Sequence, residues 1–245
     1  MNSVCLASYN GELFIRDQIQ SILSQINFDD ELVISDDGSK DKTIEIIKSF
    51  KDSRIKLIYN KSGRHGYTAN FENAINYCKG DIIFFSDQDD VWLNTKYNDV
   101  VQLLKTYDLV VTNSIVTDKK LNPINNSFFS IYHSGPGLLK NILLCSTYYG
   151  SCMAIRKSLL KYILPFPKTK QIDYDIWIGL IAEVYGKVYF YSKPEILYRR
   201  SEAATTTLGT LWNRSDRPLY WKLYKRVIQL GYVIKLLLSK YSHIN

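Results

Sequence analysis

Short apolar segments alternate with helical patterns along the first 90 residues of this 245-residue chain. The apolar segments lie at 4–7, 31–35, 55–59 and 81–86. Between them, apolar side chains recur at helical spacing, at Ile15, Ile19, Ile22 and Leu23 and then within 41–50 and 69–78. Strands that alternate with helices at this pitch are typical of a sheet built from parallel, right-handed βαβ units. The pattern therefore predicts an α/β fold with a mainly parallel sheet flanked by helices.

Polar clusters follow three of the four predicted strands. They comprise residues 8–10 after the first strand, 36–39 after the second and 87–90 after the fourth. Because ligands bind at the carboxyl ends of the strands in such sheets, we expect these clusters to line one crevice. The chain has neither a Gly-x-Gly-x-x-Gly after the first strand nor a Gly-Lys-Ser/Thr phosphate loop, so a dinucleotide fold and a P-loop enzyme are disfavoured.

Three carboxylates, Asp87, Asp89 and Asp90, stand within four positions at the end of the fourth strand. Like charges this close raise one another's pKa, and a bound cation is the usual means of holding them together. Oxygen ligands favour a hard divalent ion, Mg²⁺ or Mn²⁺, which takes one or two carboxylates and completes its coordination with water and phosphate. The alternative is that Asp89 or Asp90 caps the helix predicted over 96–105.

The positive charge of the chain is concentrated near its C-terminal end. The net charge is +7, but from Arg214 onward seven basic residues face one acidic residue, so the remainder is close to neutral. This argues against nucleic-acid binding by the body and predicts a tail that meets something anionic. The four cysteines are widely spaced, which favours free thiols in a reducing cytoplasm. We expect neither a signal peptide nor a membrane-spanning segment.

From Pro218 onward, leucines, isoleucines, valines and aromatic residues are interleaved with the basic residues. The spacing predicts one or two amphipathic helices. Such helices suit an in-plane position on an anionic membrane surface. The alternative is a C-terminal helix packed on the catalytic domain with a solvated basic face.

Taken together and in order, these motifs resemble the nucleotide-binding half of glycosyltransferase family 2, the inverting enzymes of GT-A fold. The matching elements, spread over about the first hundred positions, are Ala-Ser-Tyr-Asn-Gly at 7–11, Ser-Ile-Leu-Ser-Gln at 21–25, Asp-Asp-Gly-Ser at 36–39, Asn70, and Gly-Asp at 80–81 leading into Asp87-x-Asp89. The ordered set is specific, whereas a lone Asp-x-Asp would not be.

The resemblance implies roles for residues of the first half. Asp37 accepts a hydrogen bond from the imide N–H of uracil or thymine, and Tyr9 borders the base. Asp89 binds Mn²⁺ or Mg²⁺ with Asp87 as its partner, and the ion stabilises the departing nucleoside diphosphate. Asp90 either supports the metal ligands from behind or caps the next helix. The implied nucleotide-sugar site consists of Ala7, Tyr9, Glu12, Asp37, Asn70, Asp87, Gln88 and Arg199.

The second half resembles bacterial rhamnosyltransferase-like members of the family. Residues 149–156 are similar to the small-residue strand on their acceptor side, which would place Gly150 and Ser151 there, although a plain core strand is the alternative. Residues 173–177, Asp-Tyr-Asp-Ile-Trp, stand where those relatives carry His-Asp-Trp-Trp, and Leu-Tyr-Arg follows at 197–199.

Alignment on Trp177, which falls on the acceptor side, makes Asp175 the candidate general base. An inverting transfer needs one carboxylate that removes the proton of the acceptor hydroxyl while the oxygen attacks opposite the leaving phosphate. Asp173 is the rival if Asp175 only caps the following helix. Two positions depart from the relatives: Tyr174 replaces a histidine, and Ser201 replaces a histidine that often follows the Tyr-Arg element. Arg199 and Arg200 remain available as a cationic clamp.

The resemblance implies a metal-dependent glycosyltransferase that moves a sugar from a UDP- or dTDP-sugar to a surface-polysaccharide or O-antigen acceptor on a polyprenyl diphosphate lipid. We expect a GT-A domain at 1–205, with a nucleotide-sugar half (1–100) and an acceptor half (101–205), and a helical tail at 206–245. The expected location is cytoplasmic, peripheral on the inner face of the cell membrane. The alternatives are a sugar nucleotidyltransferase, which normally needs a basic glycine-rich loop after the first strand, and a catalytically dead, membrane-associated glycan-binding scaffold.

Overall fold

A computed structural model describes residues 1–144, 146–200 and 218–242. The first part confirms the predicted alternation of four strands and three helices. The elements in chain order are β1 (Ser3–Ser8), α1 (Ile15–Leu23), β2 (Glu31–Asp36), α2 (Thr43–Ser49), β3 (Ile55–Tyr59), α3 (Tyr67–Ile75) and β4 (Ile82–Ser86).

The remainder of the chain is less regular. It comprises β5 (Val91–Trp92), α4 (Lys96–Leu103), β6 (Leu109–Thr117), β7 (Pro123–Asn125), α5 (Phe128–Tyr132), α6 (Leu138–Leu143), β8 (Met153–Arg156), α7 (Leu160–Ile163), α8 (Tyr174–Tyr185), β9 (Val188–Arg199) and α9 (Leu219–Ser242). Single 3₁₀ turns precede β8 and α7.

The strands form one sheet in the order β3-β2-β1-β4-β8-β6-β9-β5, with β7 added to β6. The first four strands are parallel to one another. The strand β8 is antiparallel to both β4 and β6, and β9 is parallel to β6. The interiors of β1, β2 and β4 are buried, because helices cover both faces of the sheet. The predicted α/β fold is confirmed, with parallel pairing among β1–β4 and a mixture of parallel and antiparallel pairing in the rest of the sheet.

The β4–β8 pairing joins the two predicted halves of the chain. Ile83 lies opposite Ile155 in this pair, and both belong to a main core cluster that extends to Ile178 of α8. The described cysteines Cys5, Cys78 and Cys152 are free and buried, as the sequence predicted. Cys145 and Ser201 lie outside the described residues.

Two local predictions differ from the structure. The predicted strand at 149–156 is regular only from Met153, because the chain makes a 3₁₀ turn at Gly150. A Cβ atom on Gly150 would overlap the hydroxyl of Tyr174, so the turn passes beneath α8 at a distance that only glycine allows. The interpretation of Asp89 or Asp90 as a helix cap is wrong. The short strand β5 follows these residues, and Thr95 is the N-cap of α4.

The described part of the predicted tail, 218–242, contains one helix, α9, which packs against α8. Gln229 is buried in this contact, and the rings of Tyr232 and Trp177 meet edge-on with centroids 5.8 Å apart. The Tyr185 hydroxyl donates a hydrogen bond to the carbonyl oxygen of Leu236 at 2.9 Å. Within the described ranges, each helix lacks the combination of length and apolar character that crossing a bilayer requires.

Candidate active site

The three polar clusters meet at one cavity of about 1250 Å³ at the carboxyl ends of β1, β2 and β4. Its wall also includes the start of α8, the end of β9 and one residue of α9. Twelve of the sequence-predicted site residues line it, namely Ala7, Tyr9, Asp37, Asn70, Asp87, Gln88, Asp89, Gly150, Ser151, Asp173, Asp175 and Arg199. Glu12 and Trp177 are not among the lining residues.

Asp37 is a buried carboxylate at one end of the cavity. It accepts hydrogen bonds from the backbone N–H of Gly66 at 2.7 Å and from the Asn60 amide at 2.8 Å. The His65 ring nitrogen Nδ1 lies 3.0 Å from the same carboxylate, while most of this side chain stays exposed. These contacts fix the carboxylate in place. Sequence reasoning missed His65, whose position in the glycine-bearing loop between β3 and α3 was the available signal.

The ends of β1, β2 and β4 are tied together by side-chain amides. The Gln88 side chain accepts a hydrogen bond from Tyr9 N at 2.9 Å and donates one to Tyr9 O at 3.0 Å. The Asn70 amide donates to the carbonyl oxygens of Ser8 and Ser35, at 3.1 and 2.9 Å. The acidic loop and the first strand are thus held in register at the floor of the cavity.

The acidic run divides into two half-buried carboxylates and one fully buried carboxylate. Asp87 and Asp89 are half-buried in the cavity wall, whereas Asp90 is fully buried behind them. Burial and the charge of Asp89 raise the pKa of Asp90 to about 7. Burial, followed by the charges of Asp90 and Asp89, raises the pKa of Asp87 well above its usual range. The cluster therefore resists full ionisation without a neutralising partner.

The donor set fits a hard divalent cation. Asp87 and Asp89 both line the cavity, and Mg²⁺ typically takes one or two carboxylates together with phosphate. One oxygen of Asp90 is buried without a hydrogen-bond partner in the described part of the chain, which marks uncompensated negative charge. Across residues 1–144, 146–200 and 218–242, no three His, Cys, Asp or Glu side chains are arranged as a complete metal site.

A buried lysine that sequence reasoning missed lies beside the acidic run. The Lys96 ammonium donates to the carbonyl oxygen of Ser151 at 2.7 Å and sits 4.6 Å from the centroid of the Trp92 ring. Burial lowers its pKa to about 8, although the neighbouring charges, Asp90 among them, oppose this shift. No sequence signal distinguished it, because a lysine in the first turn of a helix is ordinarily solvated.

Asp173 and Asp175 flank Tyr174 at the start of α8. Asp173 occupies the N-cap position without a side-chain capping bond. Its carboxylate instead accepts a hydrogen bond from the Tyr67 hydroxyl and pairs with the Lys225 ammonium at 2.9 Å. Sequence reasoning missed both partners, since nothing in the sequence links position 225 of the tail to the start of α8.

Asp175 is half-buried in the cavity wall. One of its carboxylate oxygens accepts a hydrogen bond from the Ile176 N–H at 2.7 Å. Burial and the charge of Asp173 raise the pKa of Asp175 to about 7, while Lys225 acts in the opposite direction. A carboxylate with a pKa near neutrality is suited to accept a proton in catalysis.

Three predicted residues serve local contacts. The Trp177 indole donates to Ile163 O at 2.8 Å within the core, and the exposed Glu12 accepts from Lys42 N at 3.0 Å. The Arg199 guanidinium is buried and donates hydrogen bonds to Asp17 at 3.2 Å and to Lys119 O at 3.1 Å. It also lies 4.4 Å from the centroid of the Phe14 ring. The backbone N–H of Arg199 donates to Asp90 at 3.1 Å.

Two curated relatives carry names that concern sugar transfer. WfgD of Escherichia coli, a UDP-Glc:α-D-GlcNAc-diphosphoundecaprenol β-1,3-glucosyltransferase, is 28% identical over 74% of this chain and 70% of its own length. The dTDP-rhamnosyl transferase RfbG of Shigella flexneri is 38% identical over 40% of this chain and 36% of its own length.

Solved structures show the same fold. TarS of S. aureus in complex with UDP-GlcNAc superposes with a TM-score of 0.71 at 17% identity, covering 96% of this chain and 70% of TarS. The mannosyltransferase PcManGT of Pyrobaculum calidifontis, in complex with GDP-Man and Mn²⁺, has a TM-score of 0.59 at 16% identity, covering 98% of this chain and 75% of its own. The GT-A fold expected from the sequence is confirmed by these likenesses.

The model of the Glycosyl transferase family 2 matches residues 3–164, about two thirds of the chain. The match begins at β1 and extends past β8. It therefore includes the polar clusters that follow β1 and β2 and the acidic run that follows β4. The chain is a glycosyltransferase, and it belongs to glycosyltransferase family 2.

Proposed function

We propose that the protein is a metal-dependent inverting glycosyltransferase that moves one sugar from a UDP- or dTDP-sugar to a hydroxyl of a glycan carried on polyprenyl diphosphate. One observation carries the proposal: Asp37, the pair Asp87 and Asp89, and Asp175 line the same cavity. The relatives support the choice of substrates, because WfgD is named for UDP-glucose and a diphosphoundecaprenol acceptor and RfbG for dTDP-rhamnose.

The nucleotide lies at the end of the cavity next to Asp37 in this proposal. Asp37 accepts the imide N–H of uracil or thymine, and Gly66 and Asn60 keep its carboxylate oriented. An amide N–H donated to a carboxylate is a charge-assisted hydrogen bond, and cytosine has no imide proton to offer. Residues 1–100 would thus hold the donor, and residues 101–205 the acceptor.

The diphosphate lies between the base and the acidic run. Asp87 and Asp89 hold a Mn²⁺ or Mg²⁺ ion, which when bound offsets the negative charge of the departing nucleoside diphosphate. Gln88, fixed to the main chain of Tyr9 on both sides of its amide, keeps the two carboxylates facing the cavity. Asp90 remains behind them and holds the end of β9 through the Arg199 N–H.

Asp175 is the general base. Its raised pKa and its place in the cavity wall allow it to take the proton from the acceptor hydroxyl as the oxygen attacks the anomeric carbon. Asp173 is the weaker candidate because both of its oxygens are engaged, one by Tyr67 and one by Lys225.

The acceptor defines where the enzyme works. A polyprenyl diphosphate acceptor is anchored in a membrane, and the nucleotide sugars are cytoplasmic, so we place the protein on the inner face of the cell membrane. The relatives named for diphosphoundecaprenol acceptors support this location.

The decisive experiment incubates purified protein with Mn²⁺ and a panel of UDP- and dTDP-sugars, and measures the released nucleoside diphosphate with and without a GlcNAc-diphospholipid acceptor. We expect slow release from one donor and faster release with the acceptor. Absence of release with every donor, together with absence of UDP and dTDP binding in calorimetry, would contradict the proposal and favour the non-catalytic scaffold. Formation of a nucleotide sugar from a nucleoside triphosphate would favour the nucleotidyltransferase.

A further inference from the structure

The helix α9 packs on the body through one face and leaves a second, apolar face exposed. Its inner face, toward α8, carries Lys225 and Gln229, which contact Asp173 and Gln171. A helix that packs on a globular body normally turns its apolar stripe inward and its charges outward. Here Val233, Ile228, Tyr232 and Leu236 pack inward beside a buried glutamine and a salt-bridged lysine, and the outward side is apolar as well.

The outer face of α9 is apolar over its whole length. Tyr220, Val227, Ile234, Leu238 and Tyr241 follow one another at intervals of seven, seven, four and three residues, which keeps them on one side of the helix. Their exposed fractions range from 49% to 74%. Single exposed apolar residues need no explanation, but a continuous stripe of this length marks an interaction surface.

Two further exposed leucines lie in α6 and directly after it. Leu139 and Leu144 are 63% and 67% exposed. The helices α6 and α9 are in contact, since the Arg226 guanidinium donates a hydrogen bond to the carbonyl oxygen of Leu144 at 2.8 Å. The outer stripe of α9 defined above is called the apolar face below.

The charges beside the apolar face have one sign. Residues 218–242 contain five basic residues and no acidic one. At about 100° per residue, Arg226 lies on one flank between the inner and outer faces, and Lys235 lies on the opposite flank. An apolar stripe between two basic flanks is the pattern of a helix that lies in the plane of an anionic membrane interface.

We propose that the apolar face docks on an anionic lipid bilayer, with α9 lying in the interface and its basic flanks on the headgroups. This deepens the proposed function, on which it rests for the lipid nature of the acceptor. A second copy of the chain is the poorer partner, because a two-fold contact through α9 would bring the same basic flanks together. A bilayer that contains acidic lipid supplies the opposite charge.

The position of Lys225 ties this surface to the cavity. Lys225 lines the cavity on the inner side of α9, and the apolar face lies on the outer side of the same helix. A helix with its side chains is about 10–12 Å across. Docking therefore brings the cavity to within about one helix diameter of the headgroup layer, where the diphosphate of a lipid-linked acceptor resides.

The test measures binding of the full chain to sedimented vesicles of phosphatidylglycerol and phosphatidylcholine against vesicles of phosphatidylcholine alone. We expect binding to the anionic vesicles that weakens with added salt. The double variant Val227→Glu with Leu238→Glu should reduce this binding at least tenfold. The control variant Phe28→Glu with Ile124→Glu changes two exposed apolar residues outside the apolar face and should bind as the wild type does.

Wild-type binding by the Val227→Glu, Leu238→Glu variant would overturn the inference. The inference would also be overturned if the wild type did not bind the vesicles. In that case a dimer in sedimentation velocity that this variant abolished would identify a second copy of the chain as the partner. Calorimetry with UDP and Mn²⁺ separates the two proposals. A variant that loses vesicles but retains UDP supports docking, whereas a wild type that binds vesicles but no nucleotide contradicts only the proposed function.

Discussion

Lys225 of α9 and Asp173 at the start of α8 form an ion pair of 2.9 Å in the wall of the cavity. The last helix of the described chain thus contributes a charge beside Asp175, two residues further along α8. Tyr67 of α3 donates to the other oxygen of Asp173, so three helices meet at one carboxylate.

Replacement of Lys225 by Met should move the pH dependence of sugar transfer. Lys225 lowers the pKa of Asp175, so its loss raises that pKa. Because a base must be ionised to accept a proton, the acid limb of the rate profile should move to higher pH by roughly half a pH unit or more. The measurement is kcat/KM between pH 5 and 9. Lys222→Met, on the same helix but outside the cavity lining, is the control, and equal profiles for both variants would contradict the coupling.

Replacement of Asp175 by Asn should lower kcat by at least about 100-fold, since general base catalysis contributes about that much or more. UDP binding in calorimetry should remain close to that of the wild type. Asp173→Asn removes the charge that raises the pKa of Asp175, so this variant should retain activity and extend it to lower pH. The reverse result, with Asp173→Asn inactive and Asp175→Asn active, would exchange the two assignments.

Replacement of Asp89 by Asn should abolish Mn²⁺-dependent transfer without loss of stability. Burial raises the pKa of Asp89, so its charge opposes folding as the pH rises through that pKa in the metal-free protein. The Tm of the metal-free variant at pH 7 should therefore equal or exceed that of the metal-free wild type. Addition of Mn²⁺ with UDP should raise the Tm of the wild type but not that of the variant. A lower Tm of the metal-free variant would indicate a structural role for Asp89.

Replacement of Asp37 by Asn should weaken UDP binding by about 10- to 150-fold, because a hydrogen bond to a charged group contributes about 1.5–3 kcal/mol. His65→Ala removes one exposed neighbour of the carboxylate and leaves the Gly66 and Asn60 contacts, so its effect should be smaller. Calorimetric titration with UDP measures both. Equal UDP affinity of the Asp37→Asn variant and the wild type would show that the uracil base binds elsewhere.

Replacement of Gly150 by Ala should lower the free energy of unfolding by about 1–3 kcal/mol, the usual cost of overpacking. The added methyl group would overlap the Tyr174 hydroxyl, and Tyr174 is buried with its ring stacked on Phe71 at 4.0 Å. Gly231→Ala is the matched control, because its methyl group has no neighbour within 4 Å and alanine favours helix by up to about 1 kcal/mol. Urea denaturation compares the two, and equal stability would contradict the close packing.

The parts of the site that the sequence could predict follow from short patterns. The change from an apolar strand to polar residues shows where the strand ends. The sequence could therefore place Asp37 and Asp89 at one edge of the sheet. Burial of a charged residue depends on elements far away in sequence. Lys96 is buried by contact with the Ser151 turn, and Lys225 meets Asp173 across 52 positions, so neither role was visible in the local pattern.

The pairing of β4 with β8 sets a limit on modular exchange between related enzymes. Ile83 of β4 and Ile155 of β8 are register partners in one continuous sheet. A chimera cut near residue 100 would separate a strand from its neighbour and expose a row of unpaired backbone groups. Swaps intended to alter acceptor choice should therefore keep β8 with its native partner and graft only the loops around it.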